Sequence, residues 1–324
     1  MNTSSTQSIL KTYLTACVQV EQEFDDLPLE LLQGHGAPII ERVSLPQRAG
    51  RLVHQGVQYQ HLFDGDGMIS RFHFQDGQVY YRNRYVRTQE FVREEEARKM
   101  LYRSFGTNIP GGWAKNFLRT RFKNAANTSV VYHGNKLLAL WEGGLPHKID
   151  PQTLDTQGRY HYDGKLRNPA SWLERMITPE LAFSAHPKIH PQSGELFNFG
   201  TQAGRHPKLV HYRVKADGEA EVPTFTPMPY LSFVHDFVLT TPNQYRIFFL
   251  TPVSFDIFKT FFGIKTPVES IRARKGENTQ IQVMNDRQSF SLDSDYCYIF
   301  HFANGYEKND REIVIDALRM EDFS

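Results

Sequence analysis

The sequence is poor in cysteine and has no long apolar run. Its 324 residues include two cysteines, Cys17 and Cys297, which are too few for a disulfide framework or a thiolate-bound metal cluster. No stretch approaches the roughly 18 consecutive apolar residues that a membrane-spanning helix needs, and we expect no signal peptide. We therefore expect a protein of a reducing compartment, located in the cytoplasm.

An excess of charge of either sign is also missing. Lysine and arginine together number 37 against 36 for aspartate and glutamate, which gives a formal net charge of +1. Proteins that bind nucleic acid need basic side chains clustered on one face. The balanced composition gives no support for such a face, so we predict no nucleic-acid partner.

Aromatic residues and tight turns are abundant instead. The chain has 24 Phe and 15 Tyr, and its length allows a large core in two ordinary domains or in one large β domain. Asp-Gly and Gly-Asn pairs between apolar or alternating runs predict hairpins, because such turns need positive φ angles. The predicted strands are 68–74 and 78–85 around Asp76-Gly77, 130–133 and 136–141 around Gly134-Asn135, 209–215 before Asp217-Gly218, and 233–240 and 244–250 around Pro242-Asn243. This spacing predicts an all-β fold and leaves a sandwich, a barrel and a propeller open.

Helical patterns are confined to three segments. Residues 89–104 are typical of a charged helix, and residues 168–181 contain a second, short helix. Residues 7–24 place apolar side chains on one helical face, so we predict an N-terminal helical segment within residues 1–30. This helix could lie on a membrane surface or pack on the rest of the protein, and its low basic charge favours packing. No low-complexity linker divides the chain, so we predict one domain over residues 1–324.

Three histidines in strand-like sequence are the strongest chemical signal. His186, His235 and His301 lie 49 and 66 residues apart, so a shared metal would be bound by separate elements of one fold. Imidazole ligands suit Fe, Zn, Cu and Ni. A lone histidine in an apolar strand is more often a core residue, so the pattern alone does not establish a metal site. His190 follows His186 by four residues, but Pro187 disfavours a helical metal pair, and we expect His190 in an exposed turn.

Seven ordered motifs carry a resemblance to a known family. They are Phe63-Asp-Gly-Asp-Gly-Met, Asn83-Arg-Tyr-Val-Arg-Thr, Lys123-Asn-Ala-Ala-Asn-Thr, Leu138-Ala-Leu-Trp-Glu-Gly-Gly, Ala185-His-Pro-Lys, Val234-His-Asp-Phe and Phe300-His-Phe-Ala-Asn-Gly-Tyr-Glu. From about residue 60 to the C-terminus the chain resembles the carotenoid cleavage oxygenases, which are non-haem iron(II) enzymes. The resemblance implies a seven-bladed β-propeller with helical caps around a substrate tunnel. We expect an incomplete propeller of about four to five blades.

The resemblance also implies roles for single residues. His186, His235 and His301 match three ligands of Fe(II), and Glu142 matches a carboxylate that accepts a hydrogen bond from His235. Thr128 matches a position beside the open coordination sites. Asp236 is assigned a structural role, because alternation along a strand would point it away from His235. Phe105, Trp113, Phe117, Phe233 and Phe255 are expected in the tunnel or the core.

One departure from the family bears on activity. The family uses four histidines, and residues 302–324 contain none, so we expect impaired catalysis and an unpaired sheet edge. The main hypothesis is an iron(II) dioxygenase that uses molecular oxygen to cleave a conjugated double bond of a lipophilic carotenoid or apocarotenoid, with peripheral membrane contact as an option. The alternatives are a stilbene-cleaving dioxygenase and a non-catalytic truncated relative that binds lipophiles or another protein.

Overall fold

The protein is built mainly from antiparallel strands. The structure is a computed structural model, and it describes residues 19–30, 42–45 and 47–320. Across these ranges, 23 strands accompany four short α-helices. The predicted predominance of strand over helix is therefore confirmed.

The first half of the described chain contains eleven strands. They are β1 (Phe24–Pro28), β2 (Arg42–Ser44), β3 (Gln47–Arg51), β4 (Val53–His54), β5 (Val57–Gln58), β6 (Asp66–Gln75), β7 (Gln78–Tyr85), β8 (Ser129–His133), β9 (Lys136–Leu140), β10 (His147–Ile149) and β11 (Thr156–Arg159). One sheet has the order β1-β7-β6-β2, with β3 also paired to β6, and the next has the order β11-β10-β9-β8.

The second half of the described chain contains the remaining twelve strands. They are β12 (Lys188–Ile189), β13 (Leu196–Gln202), β14 (Lys208–Val214), β15 (Thr224–Pro227), β16 (Val238–Leu239), β17 (Arg246–Leu250), β18 (Val253–Phe255), β19 (Ile271–Ala273), β20 (Thr279–Met284), β21 (Ser289–Ser294), β22 (Tyr298–Asn309) and β23 (Glu312–Met320). Two further four-stranded sheets have the orders β12-β13-β14-β15 and β16-β17-β20-β21, and β22 pairs with β23 in a long hairpin.

Four apolar cores join each sheet to the next one along the chain. Ile69 packs with Leu137 between the first two sheets, and Leu138 packs with Val210 between the second and third. A third core brings together buried aromatic rings of the third and fourth sheets, with Phe199 and Phe248 5.6 Å apart. The fourth contains Val238, Val283 and side chains of the β22–β23 hairpin. Since burying such a side chain stabilises the fold by about 1.5–3 kcal/mol, these cores hold the sheets in a fixed succession.

Local sequence explains several turns and helix ends. Asp76 and Gly77 have φ angles of 50° and 75°, as the predicted two-residue hairpin requires. The helix α1 (Gln89–Ala97) is shorter than the predicted 89–104: Arg98 adopts a left-handed conformation, and Glu94 accepts the N–H groups of Leu101 and Tyr102. The other helices are α2 (Trp113–Asn116), α3 (Trp172–Ile177) and α4 (Ile257–Phe261).

Two sequence predictions need correction. Residues 233–240 were predicted as one strand, but only Val238–Leu239 pairs with a neighbour, because the residues before it form the wall of a cavity. The predicted N-terminal helix does not reach residues 24–28, which form β1 and pair with β7. Residues 1–18 lie outside the described part of the chain.

Candidate metal centre

An apolar cavity of about 500 Å³ lies beside the three histidines. Its wall contains many aromatic side chains, among them Phe105, Phe233 and Phe255, as the sequence predicted. Thr128 and Glu142 also line it. Trp113 and Phe117 do not, and they are 63% and 41% exposed, so the tunnel-or-core prediction is wrong for these two.

The histidines reach this cavity from three separate segments. His186 precedes β12, His235 precedes β16, and His301 lies within β22. Their ring centroids are 4.4 Å apart for His186 and His235, 5.0 Å for His186 and His301, and 4.8 Å for His235 and His301. Among the described residues, these three form the one group of three or more histidine, cysteine, aspartate or glutamate side chains whose ligand atoms are close enough to share an ion.

The spacing of the ring nitrogens fits one metal ion. The Nε2 atoms of His186 and His235 are 2.9 Å apart. Two imidazole nitrogens that each lie about 2.0–2.1 Å from one ion, at right angles to each other, are also about 2.9 Å apart. The three ligand atoms lie within 4.8 Å of one another, so the group is compatible with one shared ion.

Burial keeps the imidazoles of His186 and His235 neutral. Burial is the largest cause that lowers the pKa of His235 far below its ordinary value, and the neighbouring His186 and His301 lower it further. Burial also lowers the pKa of His186 to about 4. A neutral imidazole is the form that binds a metal, so the two rings are ready as ligands at neutral pH.

Glu142 lies behind two of the rings. Its Oε1 is 3.6 Å from Nδ1 of His235 and 3.8 Å from Nε2 of His186. It accepts hydrogen bonds from the Ala185 N–H (3.1 Å) and the Ser184 hydroxyl (3.4 Å). The predicted hydrogen bond to His235 is therefore a close contact, and the Nδ1 of His235 has no hydrogen-bond partner among the described residues. The carboxyl faces the cavity, and burial raises the pKa of Glu142 to about 8.

Phe300 fixes the plane of the His235 ring. The two rings are stacked with centroids 3.8 Å apart and an angle of 12° between their planes. Phe300 and His301 are neighbours in β22, so one strand supplies both a candidate ligand and the ring that packs on another.

Asp236 has contacts that the sequence analysis did not foresee. Its carboxylate is buried and forms an ion pair with Lys188 at 2.8 Å, and it also lies 3.7 Å from Nδ1 of His301. Residues 233–237 do not form a strand, so strand alternation could not have indicated the contact with His301. Its position directly after His235 was the one signal that could have drawn attention to it.

The predictions for Thr128 and His190 have different outcomes. Thr128 lies in the cavity wall, where its hydroxyl donates to Oδ1 of Asn127 at 3.2 Å. His190 lies in the expected turn but is 2% exposed, so the prediction of an exposed side chain is wrong. Its Nδ1 accepts the Ser193 N–H, which gives it a role within the turn.

Comparison with known proteins identifies the family. The family model described as Retinal pigment epithelial membrane protein matches residues 46–324. The chain is 32% identical over 269 residues to the apocarotenoid-15,15'-oxygenase of Synechocystis, covering 80% of this chain and 52% of that protein. It is 30% identical to the isoeugenol monooxygenase of Pseudomonas nitroreducens (82% and 52% covered) and 32% identical to resveratrol cleavage oxygenase 1 of Aspergillus fumigatus (78% and 48%).

Solved structures agree with this assignment. A cobalt-substituted apocarotenoid oxygenase from Synechocystis superposes with a TM-score of 0.84 at 29% identity, covering 97% of this chain and 64% of that one. The chain spans about half the length of the curated relatives it matches. The family model covers most of the chain, and the chain therefore belongs to the Retinal pigment epithelial membrane protein family, the carotenoid oxygenases that its motifs resemble.

Proposed function

We propose that this protein is an iron(II)-dependent dioxygenase that cleaves a conjugated carbon–carbon double bond to two carbonyl products. The observation that carries the proposal is the convergence of His186, His235 and His301 on the wall of an apolar cavity. Imidazole ligands are compatible with iron. A solved relative that is 29% identical to this chain is cobalt-substituted.

The chain's own residues would hold the metal and position the substrate. His186 and His235 present their Nε2 atoms, and Glu142 is placed to accept a hydrogen bond from the Nδ1–H of His235. When bound, iron(II) supplies the reaction with oxygen. The aromatic wall excludes water and orients a conjugated chain beside the histidines, and the methyl group of Thr128 limits the space near them.

The cavity wall favours a carotenoid or apocarotenoid over a phenolic stilbene. Apart from the three histidines, Glu142 is the one described lining residue with an acidic or basic side chain; none is a tyrosine, and the other polar side chains are threonine and serine hydroxyls and the Trp141 indole. A phenolic ring needs polar partners for its hydroxyl groups, because a buried hydroxyl without a hydrogen bond costs about 1–3 kcal/mol. An unsubstituted polyene needs none.

The sheet arrangement supports a single propeller domain. We infer that the four successive sheets are four blades of a seven-bladed propeller, that the β22–β23 hairpin begins a fifth, and that the short helices cap it. The cores that join each sheet to the next support this inference.

An exposed apolar surface supports peripheral contact with a membrane. We define the aromatic patch as Trp113, Phe117, Phe258, Phe262 and Ile264, which are 38–76% exposed. Exposed clusters of this kind mark interaction sites, and none of the described helices is long and apolar enough to cross a membrane.

The charge around the aromatic patch favours a lipid surface as its partner. Segments 105–123 and 257–268 contain basic residues and no acidic one, and Lys115 and Arg119 are exposed. Basic side chains next to apolar ones suit anionic lipid headgroups. The same two segments supply Phe122 and Phe261 to the cavity wall, so an apolar substrate could pass from the lipid to the site.

The proposed activity is tested by incubating the purified protein with Fe(II), oxygen and an apocarotenal, with resveratrol in a parallel reaction. We expect aldehyde products from the apocarotenal and none after His186→Ala. Cleavage of resveratrol alone would favour the stilbene alternative. Binding of the polyene is monitored through the quenching of tryptophan fluorescence. Binding without any product would support a lipophile-binding protein. The expectation of impaired activity stays a prediction that the same assay measures.

A further inference from the structure

We propose that Asp236 is a positioning residue for His301, holding its ring so that Nε2 faces the ion shared with His186 and His235. The inference rests on the metal-binding role proposed above. It assigns Asp236 a function other than the structural one that its sequence suggested.

The geometry gives each carboxylate oxygen of Asp236 a separate task. Oδ1 accepts from the Lys188 ammonium at 2.8 Å and from the Phe237 N–H at 2.8 Å. Oδ2 accepts from the Phe302 N–H at 3.3 Å and lies 3.7 Å from Nδ1 of His301. Asp236 therefore contacts both the backbone of β22 and the ring of the histidine that β22 carries.

Glu142 provides a direct parallel. Its Oε1 lies 3.6 Å from Nδ1 of His235, and Oδ2 of Asp236 lies 3.7 Å from Nδ1 of His301. In both pairs a carboxyl group faces the nitrogen that leaves Nε2 available as the ligand. A carboxylate in this place fixes the tautomer and orientation of a metal-binding imidazole and strengthens it as a ligand.

His301 needs such an anchor more than the other two histidines do. Its side chain is 42% exposed, against 21% for His186 and 7% for His235. Its ring contacts with Phe300, His186 and His235 are edge-on, and such contacts do not select a nitrogen.

Lys188 ties Asp236 to the segment that follows His186. The Asp236 side chain is 3% exposed, and the ammonium partner is 34% exposed. The ion pair with Lys188 provides the partner that a buried carboxyl group needs.

A double-mutant cycle separates positioning from a purely structural role. The probe is Co²⁺, titrated into the metal-free protein and followed by its visible absorption. We expect Asp236→Asn, which keeps the size of the side chain and removes its charge, to weaken Co²⁺ binding by about 10–100-fold. In a His301→Ala background the same change should have less than about a twofold effect. The matched control is Glu142→Gln, which acts on His235 and should keep its effect in that background.

Other results would overturn the inference in distinguishable ways. An equal loss of affinity from Asp236→Asn in both backgrounds would show that it acts through the fold, and no loss in the wild-type background would show that it does not act on the site. Urea denaturation of each metal-free variant identifies any that fails to fold, and Asp236→Glu then serves as the folded replacement, with a smaller loss expected. If the wild-type protein binds no Co²⁺, the proposed metal centre itself is wrong.

Discussion

The Nε2 atoms of His186 and His235 face each other across 2.9 Å, although the residues are 49 positions apart in the chain. Glu142 lies within 3.8 Å of both rings. One carboxyl group from the segment that follows β9 thus lies behind a pair of candidate ligands from two other segments.

Replacing Glu142 tests this relationship. Glu142→Gln keeps the size of the side chain but weakens the acceptor that faces His235, so we expect metal affinity to fall by about 10–100-fold. Equilibrium dialysis against Fe(II) under anaerobic conditions measures the change. Glu307→Gln is the matched control, because Glu307 accepts from Thr240 and Asn243 away from the histidines; it should leave affinity unchanged. Wild-type affinity in Glu142→Gln would return Glu142 to a structural role.

The buried Lys123 should dominate local stability. Its Nζ lies 2.6 Å from Asp66, 2.8 Å from Glu94 and 2.7 Å from the Tyr59 hydroxyl. Lys123→Met leaves the buried Glu94 without its cation, whereas Asp66 keeps its ion pair with Arg51. We therefore expect the free energy of unfolding in urea to fall by about 3–5 kcal/mol. Lys215→Met removes an exposed ion pair with Glu219 and should change the free energy of unfolding little. Equal effects of the two substitutions would contradict this assignment.

Acid should destabilise the protein partly through His147. This side chain is fully buried, and neither ring nitrogen has a hydrogen-bond partner among the described residues. Burial lowers the pKa of His147 to about 4, whereas an unfolded histidine has a pKa of about 6.5. The unfolded state therefore binds more protons between these values, and stability falls as the pH drops from about 6.5 to about 4, by about 3 kcal/mol for this residue.

His147→Leu removes that titration. The free energy of unfolding should then vary less over the same pH range than in the wild type, while the exposed His161→Leu variant should keep the wild-type slope. A His147→Leu profile parallel to the wild type would show that the buried imidazole does not contribute.

The aromatic patch should mediate binding to anionic vesicles. Replacing Trp113 and Phe258 together by serine removes two side chains that are 63% and 76% exposed, so we expect weaker binding with little loss of stability. Flotation with phosphatidylserine-containing vesicles measures the binding. The control replaces Val222 by serine, an apolar side chain that is 70% exposed outside the patch. Equal flotation of both variants would exclude the patch as the contact surface.

Local chemistry made the hairpins predictable. The Asp76-Gly77 and Gly134-Asn135 turns have the positive φ angles that their sequences favour. The 233–240 segment was mispredicted because its apolar alternation is satisfied by the cavity wall, where Phe233 and His235 lie, and not by pairing with a neighbouring strand. The end of α1 depends on the Glu94 side chain, which accepts hydrogen bonds from backbone N–H groups beyond the helix. Hydrophobic periodicity does not indicate such a contact.

The site was predictable only through the family resemblance. Spacing along the chain cannot bring His186, His235 and His301 together, since each lies in a different segment. The contact between Asp236 and His301 depends on how β22 packs beside the segment before β16. That packing is a tertiary relationship, so a rule of strand alternation could not reveal it.

The most direct test of the account is an equilibrium titration of the metal-free protein with Co²⁺, with His186→Ala, His235→Ala and His301→Ala measured beside it. The control is His206→Ala, because His206 is exposed. His190 is less suitable as a control, because it is buried and supports a turn. The account predicts one ion per wild-type and His206→Ala chain and binding at least about tenfold weaker in each of the three variants. Wild-type affinity in all three variants, or no binding by the wild type, would contradict it.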